Sequence, residues 1–588
     1  VTWPAWRLTI TPYKGLPQVE AFPDARRVAE RTSPLGWLVA VTAPAFRHAP
    51  GLSLAYRGPF PAQTGLFLDG DIAGAATDWR RAKEARELLD WVPSAIPYAL
   101  GARERVLVIG AGGGMDVWTA AAHGSRGVTA VELSPDLVRL TVELGGEPDN
   151  AVTDWVTGDA RGYVARTGTS FDLITIGAGG AFGASAAGVH GLNEDFLHTV
   201  EAYETYLRRL DPDGVLAITR WLAVPPREIV RVILTARRAL DRIGVPARPA
   251  LVVAHSWGTA TVLVKPAGFN AAEVTSLSQW ATLRRFDLDW HAGLTEPQPG
   301  FNTLAEPTLF QAAEAAVATP DSAGAFAAAY PFDVDPATDA RPYPHHYLRA
   351  RLLGSFFGAE RGALLPFAEW GYVALVATLA QSLVVAALLL VLPVALRRKA
   401  RAAGSPWRVV GYFGAIGFAY LLAEIAAIQQ LGLLLGHPVY AVAAVLAALL
   451  IGSGFGSIWS DRLPVHRTRI VAAVLGLVQI VYAAGLLPVV HSAQTGPEWL
   501  RVLVALPLLA PLAIVMGMPF PLGVRSLTEA RTGLAWAWAA NGFASVVAAP
   551  LAALVAIELG SPALFAGSAI GYAAAGLLTG GGGEKSEE

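Results

Sequence analysis

The sequence predicts two unlike structures in one chain: an α/β sheet domain in the first half and an all-α polytopic membrane domain in the second. Three observations carry this. Short apolar runs alternate with helical patterns between residues 101 and 265, as in a largely parallel sheet with helices on its faces. One of those runs, 106–109, opens into glycines at 110–114 and then a helix start, an arrangement that lets backbone approach a ligand closely. Beyond residue 364, apolar runs of membrane-crossing length recur about seven times.

Composition narrows the function classes. Of 588 residues, 53% are hydrophobic and 16% charged, an average that hides two dissimilar halves. A formal net charge of −2 leaves no electrostatic footprint for nucleic acid. The absence of cysteine rules out disulfides, thiolate metal sites and a cysteine nucleophile, without choosing a redox compartment. The chain opens on Val1, and residues 1–7 do not form a signal peptide. It therefore reads as an alternative start translated literally or as a chain that has lost an amino-terminal piece.

Residues 1–100 read as a small β-rich region, from the runs WRLTITPY, GWLVAVTAP and TGLFLDGD. A helix is expected at 79–89, and Pro93 and Pro97 then break the chain. Residues 101–265 form the predicted nucleoside-binding domain. Its second apolar run, 128–131, ends at Glu132, whose carboxylate is suited to two ribose hydroxyls. A third element, Trp155 and Val156 followed by Gly158, Asp159 and Ala160, puts an acid where an adenine amino group would be held. This order favours S-adenosylmethionine or a close relative over a dinucleotide, because nothing further on supplies a second nucleotide half-site. A fourth strand at 171–176, a loop of glycine and alanine at 177–191, a helix at 194–210, a strand at 214–219 and a hairpin of 251–255 with 259–264 complete the pattern. It is that of a class I methyltransferase-like, Rossmann-like sheet.

Residues 266–363 read as a connecting region with an alanine-rich helix near 308–317. Its adjacent His345 and His346 cannot easily share one metal on a strand. A surface or interface role is expected for them, and no metal site. The membrane domain spans 364–580, with runs near 367–396, 409–434, 438–459, 470–491, 500–522, 534–558 and 561–579, and residues 581–588 form a polar tail. Glu424 and Asn541 fall at membrane depth, where a polar group faces a partner, a cavity or a neighbouring helix.

Arg397, Arg398, Lys399, Arg401 and Arg408 follow the first run, Arg462, Arg467 and Arg469 the third, and Arg525 and Arg531 the fifth. The positive-inside rule puts these loops in the cytoplasm, and a complete first crossing would then leave the nucleoside domain outside. Cofactor supply argues the other way. The expectation is a multi-pass protein of a bacterial inner membrane, its first helix interrupted at Pro393 and its nucleoside domain cytoplasmic, against the loop charges.

The runs VLVIGAGGG, VTAVELSPD, VTGDARGYV and LRRLDPDGVLAI, with LFLDGD before them, resemble spermidine synthases, the polyamine aminopropyltransferases, which share the class I fold. GFAYLLAEIAAIQQLGLLLGHPVYAVAAVLAALLIGSGFGS, MGMPFPLGVRSL and WAANGFASV resemble the multispanning half of bacterial membrane-bound spermidine synthase-like proteins. The resemblance implies that Glu132 binds the ribose, Asp159 and Ala160 the adenine, and Gly110, Gly112 and Gly114 the methionine-like tail of S-adenosylmethionine or its decarboxylated form. It departs from this chain in two places. Gly113 stands where the family's loop has an acid, and Gly177 where the family's catalytic aspartate ends the fourth strand. His190, Glu194 and Asp195 are the nearby substitutes, with helix capping as the competing role for the two acids.

Three functions follow: a membrane-anchored aminopropyl-type transferase with an unidentified small-molecule acceptor such as a polyamine; an S-adenosylmethionine-dependent methyltransferase; or a non-catalytic nucleoside- or polyamine-sensing domain coupled to a transporter or channel. The expected partners are that acceptor and the lipid bilayer, with no nucleic acid and with room for a homo-oligomer.

Overall fold

The computed structural model describes residues 10–179, 191–349, 369–396, 406–527 and 531–579. The chain divides into two units, one of residues 1–337 with 344–369 and one of residues 338–343 with 370–588.

The first unit begins with an antiparallel sheet of β1 (Arg26–Ser33), β2 (Gly36–Thr42), β3 (Thr64–Leu68) and β4 (Asp71–Ala76), paired in sequence order. The β3–β4 hairpin turns on Asp69 and Gly70, at φ 50° and 86°, the two left-handed residues that a tight hairpin with native twist demands. One face buries Val39, Val41 and Phe67 with Leu16 and Phe46. The other packs Leu38, Ala40 and Leu66 on Leu137 and Leu140 of the helix Pro135–Gly145, which fixes β4 beside the larger sheet. The helix expected at 79–89 is instead a pair of 3₁₀ turns, Lys83–Asp90 and Pro93–Leu100. Pro97 is accommodated in the second of these, not used as a break.

The larger sheet has the order β12-β10-β11-β9-β8-β5-β6-β7. β5 (Arg105–Ile109), β6 (Gly127–Glu132), β7 (Val152–Thr157), β8 (Phe171–Ile176) and β9 (Leu210–Trp221) run parallel. β11 (Thr259–Val264) is antiparallel to both β9 and β10 (Leu251–His255). Counted from β5, the order is 3-2-1-4-5-7-6 with one added edge strand, the class I methyltransferase-like arrangement. Both faces are covered, so the inner strands are apolar throughout: Val106, Leu107, Val108 and Ile109 are at most 1% exposed, and burial of each is worth about 1.5–3 kcal/mol. The sheet continues past residue 265 because β12 (Asp287–Trp290) pairs with β10, and the helix Thr308–Ala318 packs into the same core.

The helix predicted at 194–210 is observed only as Val200–Leu207. Thr199 ends the preceding loop by accepting from Ala202 N at 3.2 Å, the start signal that a reading based on Glu194 passes over. Strand β9 then begins at Leu210, four residues earlier than expected.

The second unit has seven helices long and apolar enough to cross a membrane among the described residues: Trp370–Ala395, Trp407–Leu435, Pro438–Ser460, Val465–Ala493, Trp499–Ser526, Gly533–Leu559 and Ser561–Leu578. The first does not stop at Pro393. A π-helical turn, Ala387–Val391, precedes the proline and lets the helix absorb its missing N–H and its ring. Asn541 donates to Phe413 O at 3.2 Å, and a Cβ at Gly417 would lie 2.6 Å from the Asn541 amide nitrogen. Of the two roles open to Asn541, close helix packing is the one its contacts support. Glu424 is half-buried on the second of these helices.

Candidate functional site

β5 is flanked by β6 on one side and β8 on the other, so the direction of chain progression reverses there. Ligands of open α/β sheets lie at such a switch point, outside the carboxyl ends of the strands. The loop after β5, Gly110 to Gly114, occupies this position in front of the helix Met115–Ala122.

The glycines serve different ends. Gly110 has φ 70°, and a Cβ there would meet nothing within 4 Å, so this part of the loop borders open space. A Cβ on Gly113 would run into the backbone of Ala75 on β4, and one on Gly74 would lie 2.5 Å from Gly113 N. Half of the glycine run is thus explained by strand β4 lying directly on the loop. That contact joins two separate sheets and has no sequence signature.

Glu132 is the last residue of β6. Its two carboxylate oxygens accept from Gly112 N at 3.1 Å and Ser134 N at 3.1 Å. Burial raises its pKa, and these backbone N–H groups oppose the rise. A carboxylate has about four lone-pair sites, and the Leu133 N–H also reaches this one, so acceptor capacity for a hydroxyl group remains. Asp159 follows β7, whose register pairs Thr157 with Glu132, so the two acids stand at the ends of adjacent strands. Asp159 caps the helix Ala160–Arg166, accepting from Arg161 N at 3.2 Å and Gly162 N at 2.7 Å. Ala160 is buried at the start of that helix.

A cavity of about 80 Å³ lies beside the loop, between the ends of β5 and β8. His48, Ser94, Asp116, Gly177 and Thr219 line it; Glu132 and Asp159 do not. Burial holds His48 down at about 4, so its imidazole is neutral at pH 7. Burial also raises the Asp116 carboxyl, and a hydrogen bond with Ser94 works against that rise. Asp116 and His48 were not singled out by sequence reasoning. Asp116 could have been noticed as the first acid after the glycine run, but its destination depends on how the strand ends meet.

Of the substitutes expected for the absent strand-end acid, His190 lies outside the described residues. Glu194 is exposed, and it precedes the helix that it was expected to enter. Asp195 belongs to a buried charged cluster: His345 Nε2 is 3.0 Å from its carboxylate, and Arg220 pairs with Glu228 close by. Burial alone would raise Asp195, but His198, His345 and Arg220 outweigh it and hold the carboxyl well below the usual range. Of the surface or interface role expected for His345 and His346, exposure at the surface is not observed. His346 is fully buried with Nδ1 2.7 Å from Glu369, and His345 is tied to Asp195. No group of three or more metal-ligating side chains occurs among the described residues.

A second, larger cavity of about 610 Å³ lies beside β10 and β12, lined by His255, Asp287, Asp289 and Phe301 among others. Both ring nitrogens of His255 are engaged, Nδ1 with Asp289 at 2.7 Å and Nε2 with Asn302 O at 2.6 Å. Nothing in the sequence pointed to this cavity.

No known family profile matches the chain, and no curated protein does. Among solved structures, a spermidine synthase in complex with the transition-state analogue AdoDATO is 15% identical, over 51% of this chain and 88% of its own, with a TM-score of 0.29. The spermidine synthase from Thermotoga maritima is 16% identical over 51% and 87%, also with a TM-score of 0.29. An amino pentose methyltransferase from Micromonospora echinaspora with SAM bound is 26% identical over 24% and 50%, with a TM-score of 0.17. The fold of the first unit is assigned from its own strand order: it is an α/β unit of the class I methyltransferase-like kind, in a chain whose described residues also include seven apolar helices of membrane-crossing length.

Proposed function

We propose that this is a membrane-anchored, multi-pass protein whose α/β unit binds an adenosine-type sulfonium nucleoside and passes a group from it to a small amine. The observation that carries this reading is Glu132, a carboxylate at a strand end, held by the N–H groups of Gly112 and Ser134 with acceptor capacity to spare. The open space at Gly110 gives the nucleoside's tail room beside the loop. Asp159 and Ala160, one strand further, are this reading's candidates to hold the base. Held there by Glu132, Asp159 and the glycine loop, the nucleoside would supply an electrophilic carbon next to sulfonium, which an amine nitrogen could take as the C–S bond gives its electron pair to sulfur. The chain's own residues hold the nucleoside and accept the proton that the ammonium must lose. S-adenosylmethionine would make this a methyl transfer, its decarboxylated form an aminopropyl transfer.

Calorimetry with the two nucleosides separates the possibilities. Preference for the decarboxylated form supports aminopropyl chemistry, preference for S-adenosylmethionine supports methyl transfer, and binding of neither by folded protein sinks the transferase reading.

A second reading, an amine-sensing unit coupled to a membrane transporter or channel, is favoured by one observation inside the helical unit. The segment 338–343 bonds to the ends of helices: Arg341 donates to Ile557 O at 2.7 Å, Ser561 N donates to Ala340 O at 2.9 Å, and Asp339 lies 2.8 Å from His491. Arg408, Arg462, Arg467, Arg469 and Arg525 stand at the other ends of the helices. By the positive-inside rule the ends near 338–343 face away from the cytoplasm, where a cytosolic nucleoside is not supplied. Glu424 is this reading's candidate for a cation within the membrane. Proteoliposomes loaded with a polyamine test it: flux abolished by Glu424→Gln supports it, and unchanged flux removes the carboxylate from consideration.

A further inference from the structure

Asp116 and Gly177 lie on different elements, the first on the helix after β5 and the second at the end of β8. A Cβ on residue 177 would stand 2.6 Å from the Asp116 Oδ2 atom. Gly177 does not have a positive φ, so its missing side chain is required by space and not by backbone conformation. The space it vacates is filled by the Asp116 carboxylate.

That carboxylate faces the cavity of about 80 Å³ together with Ser94, Thr219 and the neutral imidazole of His48. Among the described residues no ion pair to Asp116 is formed, and no lysine or arginine lines the cavity. The Thr219 hydroxyl is engaged with Thr261 at 2.8 Å. Among the described residues the cavity therefore holds one acid, neutral oxygen and nitrogen acceptors, and no compensating cation. A helix N-terminus accounts for an acid in its first turn, but not for one directed across the strand ends into a void. Where one water needs about 10–15 Å³ on this measure of volume, the cavity has room for about five water-sized groups. That matches an ammonium and a few methylenes.

We infer that Asp116 is the amine-binding carboxylate of this protein, and that the cavity it shares with Ser94, His48 and Gly177 takes the ammonium end of an unbranched alkylamine. The inference deepens the transferase reading by naming its acceptor class, and it holds equally for an amine-sensing unit. In a transferase, the Asp116 carboxylate would also be placed to accept the proton that the ammonium must release before its nitrogen can attack.

The experiment is calorimetric titration of the detergent-solubilised full-length protein with putrescine, and separately with S-adenosylmethionine and its decarboxylated form. Wild type binds putrescine. Asp116→Asn binds it at least about 30-fold more weakly, as expected when one partner of a buried charge pair is removed, with nucleoside affinity within about threefold and unchanged thermal melting. The double variant Asp116→Ala with Gly177→Asp, which empties the space at 116 and returns a carboxylate to the cavity from the neighbouring strand, regains binding to within about tenfold of wild type. Should Asp116→Asn melt early, Ser94→Ala takes its place, with a loss of about fivefold expected. Putrescine binding unaffected by Asp116→Asn, or absent from wild type, overturns the inference. Amine binding without nucleoside binding leaves it standing and removes only the transferase.

Discussion

Both oxygens of Glu132 accept backbone N–H groups at 3.1 Å, so its charge supports the loop whether or not a ligand is present. Hydrogen bonds to a charged group are worth about 1.5–3 kcal/mol. Glu132→Gln is therefore expected to weaken nucleoside binding by about 10- to 100-fold in calorimetry. Buried histidines contribute to the pH dependence of stability in both directions. Burial opposes charge on His255, but Asp289 and Asn302 O prevail and raise it to about 9. A folded pKa above the unfolded 6.5 gives stability that is complete below about pH 6.5 and lost as pH rises through about 9. His255→Gln should flatten that alkaline limb in denaturant titrations between pH 6 and 10. Burial lowers His48 to about 4 and, with Arg220 adding to it, His198 to about 3. Their contribution has the opposite sign, complete above about pH 6.5 and lost as pH falls toward those values. At this scale the place of Glu132 at a strand end was legible, because the apolar run before it stops at that acid. Asp116 was not, because its partner in space is a glycine on another strand, and no local pattern joins them.

Strand β4 and the glycine loop behave as one element. Gly113→Ala would push a methyl group into the Ala75 backbone, which cannot give as a flexible side chain does. A loss of about 2–3 kcal/mol is expected, read as an earlier thermal transition with weakened nucleoside binding. In the helical unit, Cβ atoms on Gly452 and Gly456 would strike Ala513 and Ile514 of Trp499–Ser526, a small-xxx-small contact. Gly456→Leu is expected to lower the detergent melting temperature more than Gly454→Leu, since Gly454 has nothing within 4 Å of its Cβ position. Strands β5, β6 and β8 could be read from their β-branched apolar runs because both faces of a parallel sheet are covered. The helix Val200–Leu207 was overextended because glutamate and aspartate at 194 and 195 imitate a helix start, whereas the bond that begins it comes from Thr199.

The division into a sheet unit and a helical unit was legible because hydropathy over about 20 residues is the least ambiguous signal a sequence carries. The face of the membrane occupied by the sheet unit was not, since loop charge and cofactor supply point in opposite directions. Exposed positions Thr169 and His466 can decide it in a chain without native cysteine. The transferase reading predicts that Thr169→Cys and His466→Cys both react with an impermeant maleimide only after permeabilisation. Labelling of Thr169→Cys but not of His466→Cys in intact cells would remove the cytosolic transferase and leave the sensing reading.

The six residues 338–343 bear on how the protein can be taken apart. Residues 337 and 344 count with the sheet unit while 338–343 count with the helices, so one scissile point cannot separate the halves. A fragment ending at residue 369 would carry Asp339, now 1% exposed, and Arg341 into solvent stripped of His491 and Ile557 O. A soluble domain for crystallography should therefore be sought by replacing 338–343 with a short glycine–serine bridge, and that version is expected to stay monodisperse in gel filtration where the simple truncation aggregates.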